Sequence, residues 1–295
     1  MTMPAPERLR SMPVKAVEGC PHNQCSFCGF YKSHDPKRPF VQKFGVRPLF
    51  EVRQDLRDNL SFYGSSMFNA KSGKVDRVFI GDGDTLAMSV PHFLKLLKIL
   101  HDELPDLTHV AAYARVRSIL AKRHALESLR AAGLTDLYVG FETGLDAVLR
   151  AVRKGVTVAE NIVAGRMAVG AGISLHAMII SGLGGTAKST EHAIATADML
   201  NHLAPETVVI SRLMPMSIEE GRELDRPEGV HWIDEEMIFA NRLSVGNRFL
   251  IVDYNCCGEH FETNSKKGLL AELARTRELV ANGTHPSNVY YVGGG

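Results

Sequence analysis

The chain is organised around residues 19–31, which read GCPHNQCSFCGFY. Three of its five cysteines lie in this stretch, at Cys20, Cys25 and Cys28. Thiolate sulfur is a soft ligand that suits zinc and iron–sulfur clusters, so three thiols on one short loop indicate a metal centre. A structural zinc site takes four protein ligands, whereas three thiols leave one iron of a cluster free to bind a substrate.

This loop resembles the cluster-binding loop of the radical S-adenosylmethionine (radical SAM) superfamily, where the usual spacing is Cys-x3-Cys-x2-Cys and an aromatic residue precedes the last cysteine. Phe27 stands at that aromatic position, and the first spacing is one residue longer here. The resemblance implies that Cys20, Cys25 and Cys28 bind three irons of a [4Fe-4S] cluster, and that S-adenosylmethionine (SAM) chelates the fourth.

Two other interpretations of the loop stay open at this point. The three thiols could form a Cys3His structural zinc site with His22 or His34. A disulfide framework is less favoured, because the cysteines are odd in number and the chain opens without a secretion signal.

The length and composition of the chain are compatible with a single α/β barrel. The chain has 295 residues and is 45% apolar, which is enough for a large core. Its formal charge of +1 provides no broad field for nucleic acid or an anionic membrane, so neither is expected as a partner. No run of eighteen apolar residues suggests a membrane span, and we expect a cytoplasmic location.

Strand-like and helix-like segments alternate up to about residue 215 and form about six βα units. Such alternation predicts a parallel sheet that curls into a barrel, with the active site at the carboxyl ends of the strands. The superfamily uses a partial (β/α)6 barrel, so the resemblance implies the same fold. We predict an α/β chain in which residues 1–215 form a partial (β/α)6 TIM-like barrel core. Residues 216–295 are predicted to be a C-terminal α/β extension that closes the barrel.

Two polar segments follow predicted strands. Gly83 and Asp84 come after the second strand, where glycine lets the backbone approach a ligand. The resemblance implies that they replace the superfamily's Gly-Gly-Glu type motif, which binds the SAM amino group. Either Asp84 takes the place of the glutamate, or the backbone binds the amino group. Residues 140–144 (GFETG) resemble a Gly-x-Glu-Ser-Gly segment, which implies that Glu142 contacts SAM and that Lys154 or Arg153 pairs with the SAM carboxylate. A solvated surface cation is the alternative for Lys154.

Later strands carry further candidates. Gly182, within SGLGG at 181–185, resembles the glycine-containing segment that lies against adenine. Its spacing does not match Gly-x-Gly-x-x-Gly, which argues against a nicotinamide dinucleotide fold. Met214 matches the place where the superfamily contacts adenine through the backbone. His176 is interpreted as a hydrogen-bonded core residue.

Alternate residues at the end of the third strand, Tyr113, Arg115 and Arg117, are predicted to point into the barrel. An arginine inside a barrel is costly unless it is paired. Arg115 is therefore a candidate ligand for a carboxylate of SAM or substrate, or the partner of Glu142 or Asp84 in an internal salt bridge.

Cys256 and Cys257 form a second cysteine site near the C-terminus. They are candidate catalytic residues, since one thiol could donate a hydrogen atom to a substrate radical. They could also bind a thiophilic substrate or ion, or help His260 hold a second cluster. The alternative is a pair of buried apolar residues, because free cysteine is commonly buried.

The resemblance implies an enzyme in which a reduced [4Fe-4S] cluster cleaves SAM and generates a 5′-deoxyadenosyl radical. That radical would abstract hydrogen from a small-molecule substrate, and an external one-electron donor such as flavodoxin or ferredoxin would supply the electron. Basic residues between 32 and 43 could contact a phosphate or a flavodoxin, or form a solvated loop. Alternatives are SAM-dependent transfer of a 3-amino-3-carboxypropyl group, and a zinc-stabilised barrel that binds a ligand without radical chemistry.

Overall fold

The computed structural model describes Glu7, Lys37 and residues 10–33, 39–63, 74–213, 231–244, 248–253 and 259–284 of the chain. The strands are β1 (Met12–Lys15), β2 (Val17–Glu18), β3 (Gly45–Val46), β4 (Arg77–Gly81), β5 (His109–Ala114), β6 (Asp136–Glu142), β7 (Ser174–Ser181), β8 (Thr207–Arg212), β9 (Arg248–Asp253) and β10 (Glu259–Thr263). The helices are α1 (Leu49–Tyr63), α2 (Val90–Glu103), α3 (Val116–Ala121), α4 (Leu126–Ala131), α5 (Asp146–Ala151), α6 (Val158–Gly170), α7 (Gly185–Leu203), α8 (His231–Arg242) and α9 (Lys266–Ala281).

The strands of the described residues form one large sheet in the order β1-β4-β5-β6-β7-β8-β9-β10, beside a two-stranded β2-β3 ribbon. Within the large sheet of the described residues, each strand from β1 to β9 is parallel to its neighbours in that order, and β10 is antiparallel to β9. Helices connect most of the parallel strands, as βαβ geometry requires. This confirms the predicted α/β fold with a mostly parallel sheet.

The sheet continues beyond residue 215, where the sequence pattern indicated a change. β9 pairs in parallel with β8, with Phe249 opposite Val208, and β10 then pairs with β9. Helix α8 packs on α7 through an ion pair in which Arg242 Nε lies 2.7 Å from Asp198 Oδ1. The described part of residues 216–295 therefore prolongs the sheet at the β8 edge.

The alternation of side chains along each strand creates two apolar layers. The larger layer lies between the sheet and the helices and includes Val78, Ile80 and Leu137, all fully buried. The smaller layer fills the inside of the curved sheet and comprises Phe79, Ala111, Tyr138, Val209 and Leu250, with Tyr113 and Met178 packed against it.

Polar side chains close the amino-terminal end of the barrel. The buried carboxylate of Glu7 accepts hydrogen bonds from the Tyr138 hydroxyl at 2.9 Å and from Arg77 at 3.4 Å. Nε2 of His176 lies 2.8 Å from Asp136 Oδ1, and the His176 ring stacks on Tyr138. His176 is thus a hydrogen-bonded core residue, as its sequence position suggested.

No helix in the described residues is both long and apolar enough to cross a membrane.

Candidate active site

A cavity of about 250 Å³ opens at the carboxyl ends of the parallel strands. The cysteine loop forms one wall, and the ends of β5 to β8 form the others. Its inner surface is mainly apolar and includes Tyr113, Tyr138, Met178 and Ile180. Charged side chains line it as well, namely Arg115, Glu142, Lys154 and Arg212.

All three thiols of the cysteine loop line this cavity, and each cysteine is half-buried. Burial raises the pKa of the Cys25 thiol, and burial raises that of Cys28 to about 11. Soft metal centres bind the thiolate, so loading Cys25 and Cys28 would release their protons.

The segment that follows α5 is hydrogen-bonded to the cysteine loop. The Ser26 N–H donates to the carbonyl oxygen of Val152 at 3.0 Å, and Nε2 of His22 lies 2.7 Å from the carbonyl oxygen of Arg153. Gly155 has a φ of +78°, and a Cβ there would lie 2.8 Å from the His22 ring. The hydrogen bond to Arg153 occupies Nε2 of His22, which is one of the two histidines considered as zinc ligands from the sequence.

The turn after β4 holds the cysteine loop from the other side. Gly83 has a φ of +47°, and a Cβ at this position would lie 1.9 Å from the carbonyl oxygen of Gly19. The Gly83 N–H donates to the Tyr31 hydroxyl at 2.8 Å, and that hydroxyl donates to Asp82. Gly83 lines the cavity. Because a side chain at this position would collide with Gly19, glycine is needed for the close approach of the two walls of the site.

Asp84 is fully buried and is outside the cavity lining. Its carboxylate accepts hydrogen bonds from the backbone N–H of Arg115 at 3.2 Å and from the Ser118 hydroxyl at 2.6 Å. Burial raises the pKa of this carboxyl group. The side chain therefore joins the end of β4 to the start of α3. At this turn the backbone of Gly83, rather than the Asp84 carboxylate, faces the cavity.

Glu142 and Lys154 form a buried ion pair on the cavity wall. A register shift between Gly140 and Glu142 interrupts β6, and Glu142 adopts a left-handed φ of +65°. Such a bulge re-aims a side chain next to a site. A Cβ at Gly140 would lie 2.3 Å from Glu142 Oε1, so a side chain at position 140 would displace the Glu142 carboxylate.

Lys154 is only 6% exposed, which excludes the solvated surface cation considered from the sequence. Burial opposes its charge, but Glu142 and then Cys25 outweigh burial and raise the pKa of Lys154. Its Nζ lies 5.9 Å from the centroid of the Phe27 ring. The ammonium group therefore stands between the cysteine loop and the end of β6.

The structure separates the two arginines that the sequence placed together. Arg115 lines the cavity and its guanidinium donates to the carbonyl oxygen of Lys154 at 3.2 Å, instead of to a carboxylate of Glu142 or Asp84. Arg117 is exposed and pairs with Glu160 at 3.0 Å. The prediction for Arg117 was wrong because β5 ends at Ala114 and α3 begins two residues later, so strand alternation no longer applies.

Gly182 lies in the turn between β7 and α7. Its φ is +80°, and its N–H donates to Glu235 Oε1 at 2.7 Å outside the cavity lining. Met214, Cys256 and Cys257 lie outside the described residues, as do His34 and the side chain of His260.

Two buried glutamates of α8 were missed from the sequence. Glu236 forms a bidentate pair with Arg212, which lines the cavity and stacks on the Trp232 ring at 3.8 Å. Glu235 accepts hydrogen bonds from Gly182 and from the Ser189 hydroxyl at 2.6 Å. One signal was available, because Glu235 and Glu236 lie four and three residues before the apolar Phe239, which is the spacing of one helical face.

Comparison with known proteins agrees with this arrangement. The family model described as "Radical SAM superfamily" matches residues 14–197. No curated protein matches the chain.

Several solved structures share the fold. Coproporphyrinogen III oxidase (HemN) from Escherichia coli, a radical SAM enzyme, is 20% identical with a TM-score of 0.56, over 80% of this chain and 53% of that one. Methylornithine synthase (PylB) is 17% identical with a TM-score of 0.55, over 81% of this chain and 65% of that one. The cobalamin-dependent enzyme OxsB is 15% identical with a TM-score of 0.51, over 94% of this chain and 38% of that one.

This chain thus spans about half the length of the HemN structure, and identities this low show a common fold. The family model covers more than half of the chain and includes the end of β1, the cysteine loop and the strands β4 to β7. The chain therefore belongs to the radical SAM superfamily, whose members combine a [4Fe-4S] cluster with S-adenosylmethionine.

Proposed function

We propose that the chain is an enzyme that uses a [4Fe-4S] cluster and SAM to remove a hydrogen atom from a small-molecule substrate. The observation that supports this most is that three thiols face a single cavity at the carboxyl ends of the strands. When bound, the two cofactors supply a 5′-deoxyadenosyl radical, and the protein supplies ligation, orientation and exclusion of water.

The thiols of Cys20, Cys25 and Cys28 are the proposed cluster ligands. Their softness and common exposure to the cavity fit an iron–sulfur cluster. No three His, Cys, Asp or Glu side chains in the described parts of the chain converge as ligands of one metal ion. Cluster thiolates bind separate irons, so the proposed site does not require such convergence.

Polar groups beside the thiols are suited to the amino acid part of SAM. Glu142 can accept hydrogen bonds from its ammonium group, while Lys154 and Arg115 can donate to its carboxylate. Gly83 leaves the backbone accessible next to Cys20. Asp84 is proposed to act by fixing the Gly83 turn, and Gly182 by its bond to α8.

The inner part of the cavity is proposed to hold the substrate. Tyr113, Tyr138, Met178 and Ile180 make this region largely apolar. The bonds of Glu7 to Tyr138 and Arg77 close the barrel beneath it. A reactive carbon centre needs such an enclosure, because water and side reactions must be kept away.

Cleavage of SAM tests the proposal. The protein would be reconstituted anaerobically with iron and sulfide, reduced with dithionite, and supplied with SAM. We expect 5′-deoxyadenosine by mass spectrometry, and its loss in Cys25→Ala. Methylthioadenosine would instead indicate transfer of the 3-amino-3-carboxypropyl group. Bound zinc with intact SAM would contradict the proposal and favour a zinc-stabilised binding protein.

A further inference from the structure

An antiparallel hairpin covers the outer side of the cysteine loop. It consists of residues 30–33 and 39–43, here called the outer hairpin. The Ser33 N–H donates to the Phe40 carbonyl oxygen at 2.9 Å, and the Gln42 N–H donates to the Tyr31 carbonyl oxygen at 2.7 Å. A Cβ at Gly19 would lie 2.9 Å from the Lys43 carbonyl oxygen, so the hairpin packs directly on the cysteine loop.

The outer hairpin exposes large apolar side chains. Phe30, Phe40 and Val41 are 52%, 51% and 71% exposed. Val46 and Phe50, which follow closely in the chain, are exposed as well. Isolated exposed apolar residues are ordinary, but a concentration of them on one short segment marks an interaction surface.

The same segment is strongly basic, although the whole chain carries a formal charge of only +1. Of the side chains that the structure describes there, Lys37 and Lys43 are exposed and Lys32 is half-buried. Between residues 30 and 43 the sequence has one acidic residue, Asp35, against four basic ones, Lys32, Lys37, Arg38 and Lys43. A partner that docks here would be acidic.

The place of the outer hairpin suggests what the partner delivers. The thiols of the cysteine loop face the cavity, which SAM and substrate would occupy under the proposed function. A protein too large to enter the cavity can therefore approach the cluster only from the outer side of the loop. Phe30, two residues after Cys28, both lines the cavity and is exposed outside.

We propose that the outer hairpin is the docking surface for an acidic one-electron carrier protein. This inference rests on the proposed function. One electron leaves the carrier, which is oxidised, and enters the cluster, which is reduced; no bond is formed or broken. An apolar centre with a charged rim suits such partners, because electron-transfer encounters use small interfaces and are steered by opposite charge.

The surroundings of the hairpin favour a protein over a nucleic acid. Glu18, Glu51 and Asp55 flank the basic segment and pair with Lys15 and Arg47. Nucleic acid binding takes many phosphate contacts along a continuous basic surface. A short basic hairpin beside acidic residues matches the smaller footprint of a carrier.

The test compares two double variants, each of which replaces one exposed apolar residue by serine and one exposed lysine by glutamate. Phe40→Ser with Lys43→Glu alters the outer hairpin without touching a cavity-lining residue. Val163→Ser with Lys95→Glu makes the matched change at exposed positions of α6 and α2. Flavodoxin serves as the carrier. Its binding is measured by calorimetry at low and high ionic strength, with and without the cluster, and its reduction of the cluster is followed by stopped-flow absorbance.

We expect the hairpin variant to bind flavodoxin at least about tenfold more weakly and to lose most of its salt dependence. Its reduction by flavodoxin slows accordingly, while reduction by dithionite keeps its rate. The control variant stays within about twofold of the unmodified protein.

Equal flavodoxin binding by the two variants would overturn the proposal. The proposal would also be overturned if the hairpin variant still binds flavodoxin but no longer binds a single-stranded oligonucleotide, or no longer self-associates. Calorimetry on the cluster-free protein separates the two claims. Failure to assemble a cluster counts against the proposed function, and unaltered binding counts against the docking surface.

Discussion

The Glu142–Lys154 pair shows how single residues shape this site. Both side chains are buried on the cavity wall beside the cysteine loop. A buried charge is stable only while its partner is present, since removing one partner leaves the other charge without compensation. The pair therefore couples the shape of the site to the stability of the protein.

Lys154→Met tests this coupling. We expect it to lower the free energy of unfolding by about 3–5 kcal/mol, because the Glu142 carboxylate stays buried without its partner. Adding Glu142→Gln should recover a large part of that loss. Lys98→Met, which breaks the exposed pair with Asp102, is the control and should cost less than about 1 kcal/mol. Urea titrations provide the measurement, and equal effects of Lys154→Met and Lys98→Met would contradict the buried pair.

Gly83→Ala tests the close approach of the two walls. The added Cβ would meet the backbone of Gly19, which cannot move without displacing Cys20. We expect a loss of most bound iron after reconstitution, measured as iron and sulfide per chain. Gly45→Ala is the matched control, because a Cβ at Gly45 meets nothing within 4 Å. Full iron content in Gly83→Ala would show that the turn after β4 does not position the cysteine loop.

At the scale of elements, α8 is fastened to the barrel by two consecutive buried carboxylates. Glu235 contacts the turn after β7 and α7, and Glu236 holds Arg212 at the end of β8. Together they fix the strand ends that form one side of the cavity. Nearby α9 is linked to α8 by the exposed pair of Arg277 with Asp234.

Glu235→Ala tests this attachment. It would leave the Gly182 N–H, the Ser189 hydroxyl and the His192 ring without their acceptor, each buried donor costing about 1–3 kcal/mol. We expect the free energy of unfolding to fall by at least about 3 kcal/mol. The neighbouring Asp234→Ala removes the exposed pair with Arg277 and should change the free energy of unfolding by less than about 1 kcal/mol. Thermal or urea unfolding distinguishes the two, and equal losses would contradict a buried attachment.

Elements defined by local patterns could be predicted from the sequence. The spacing of Cys20, Cys25 and Cys28 is local, and so is the alternation that produced the parallel sheet. The hydrogen-bond partners of Asp84 and Gly182 could not be predicted, because Ser118 and Glu235 come from distant segments of the chain. Periodicity identifies the face of a helix or strand, but it does not identify the partner of a buried polar group.

At the scale of the whole molecule, one curved sheet joins the cysteine loop near β1 to the C-terminal strands. β9 continues the parallel sheet beyond β8 and contributes Phe249 and Leu250 to the two apolar layers. The core and the C-terminal region are thus expected to unfold together.

Truncation tests that expectation. A chain ending at Ser244 loses β9, β10 and α9 and uncovers the edge of β8. We expect it to lose the cooperative thermal transition in circular dichroism, because both layers lose buried side chains. A chain ending at Thr284 keeps every described element and is the control. A cooperative transition at the same midpoint in the shorter chain would show that the barrel folds without its C-terminal strands.

Under the proposed function, three thiols near the amino end hold one cluster and leave a single iron open to SAM. Mössbauer spectroscopy of protein reconstituted with ⁵⁷Fe tests this most directly. The proposed site predicts that SAM changes the signal of about a quarter of the iron, because one iron in four lacks a thiolate. An iron spectrum that SAM leaves unchanged, or a protein that takes up zinc and no iron, would contradict the claim.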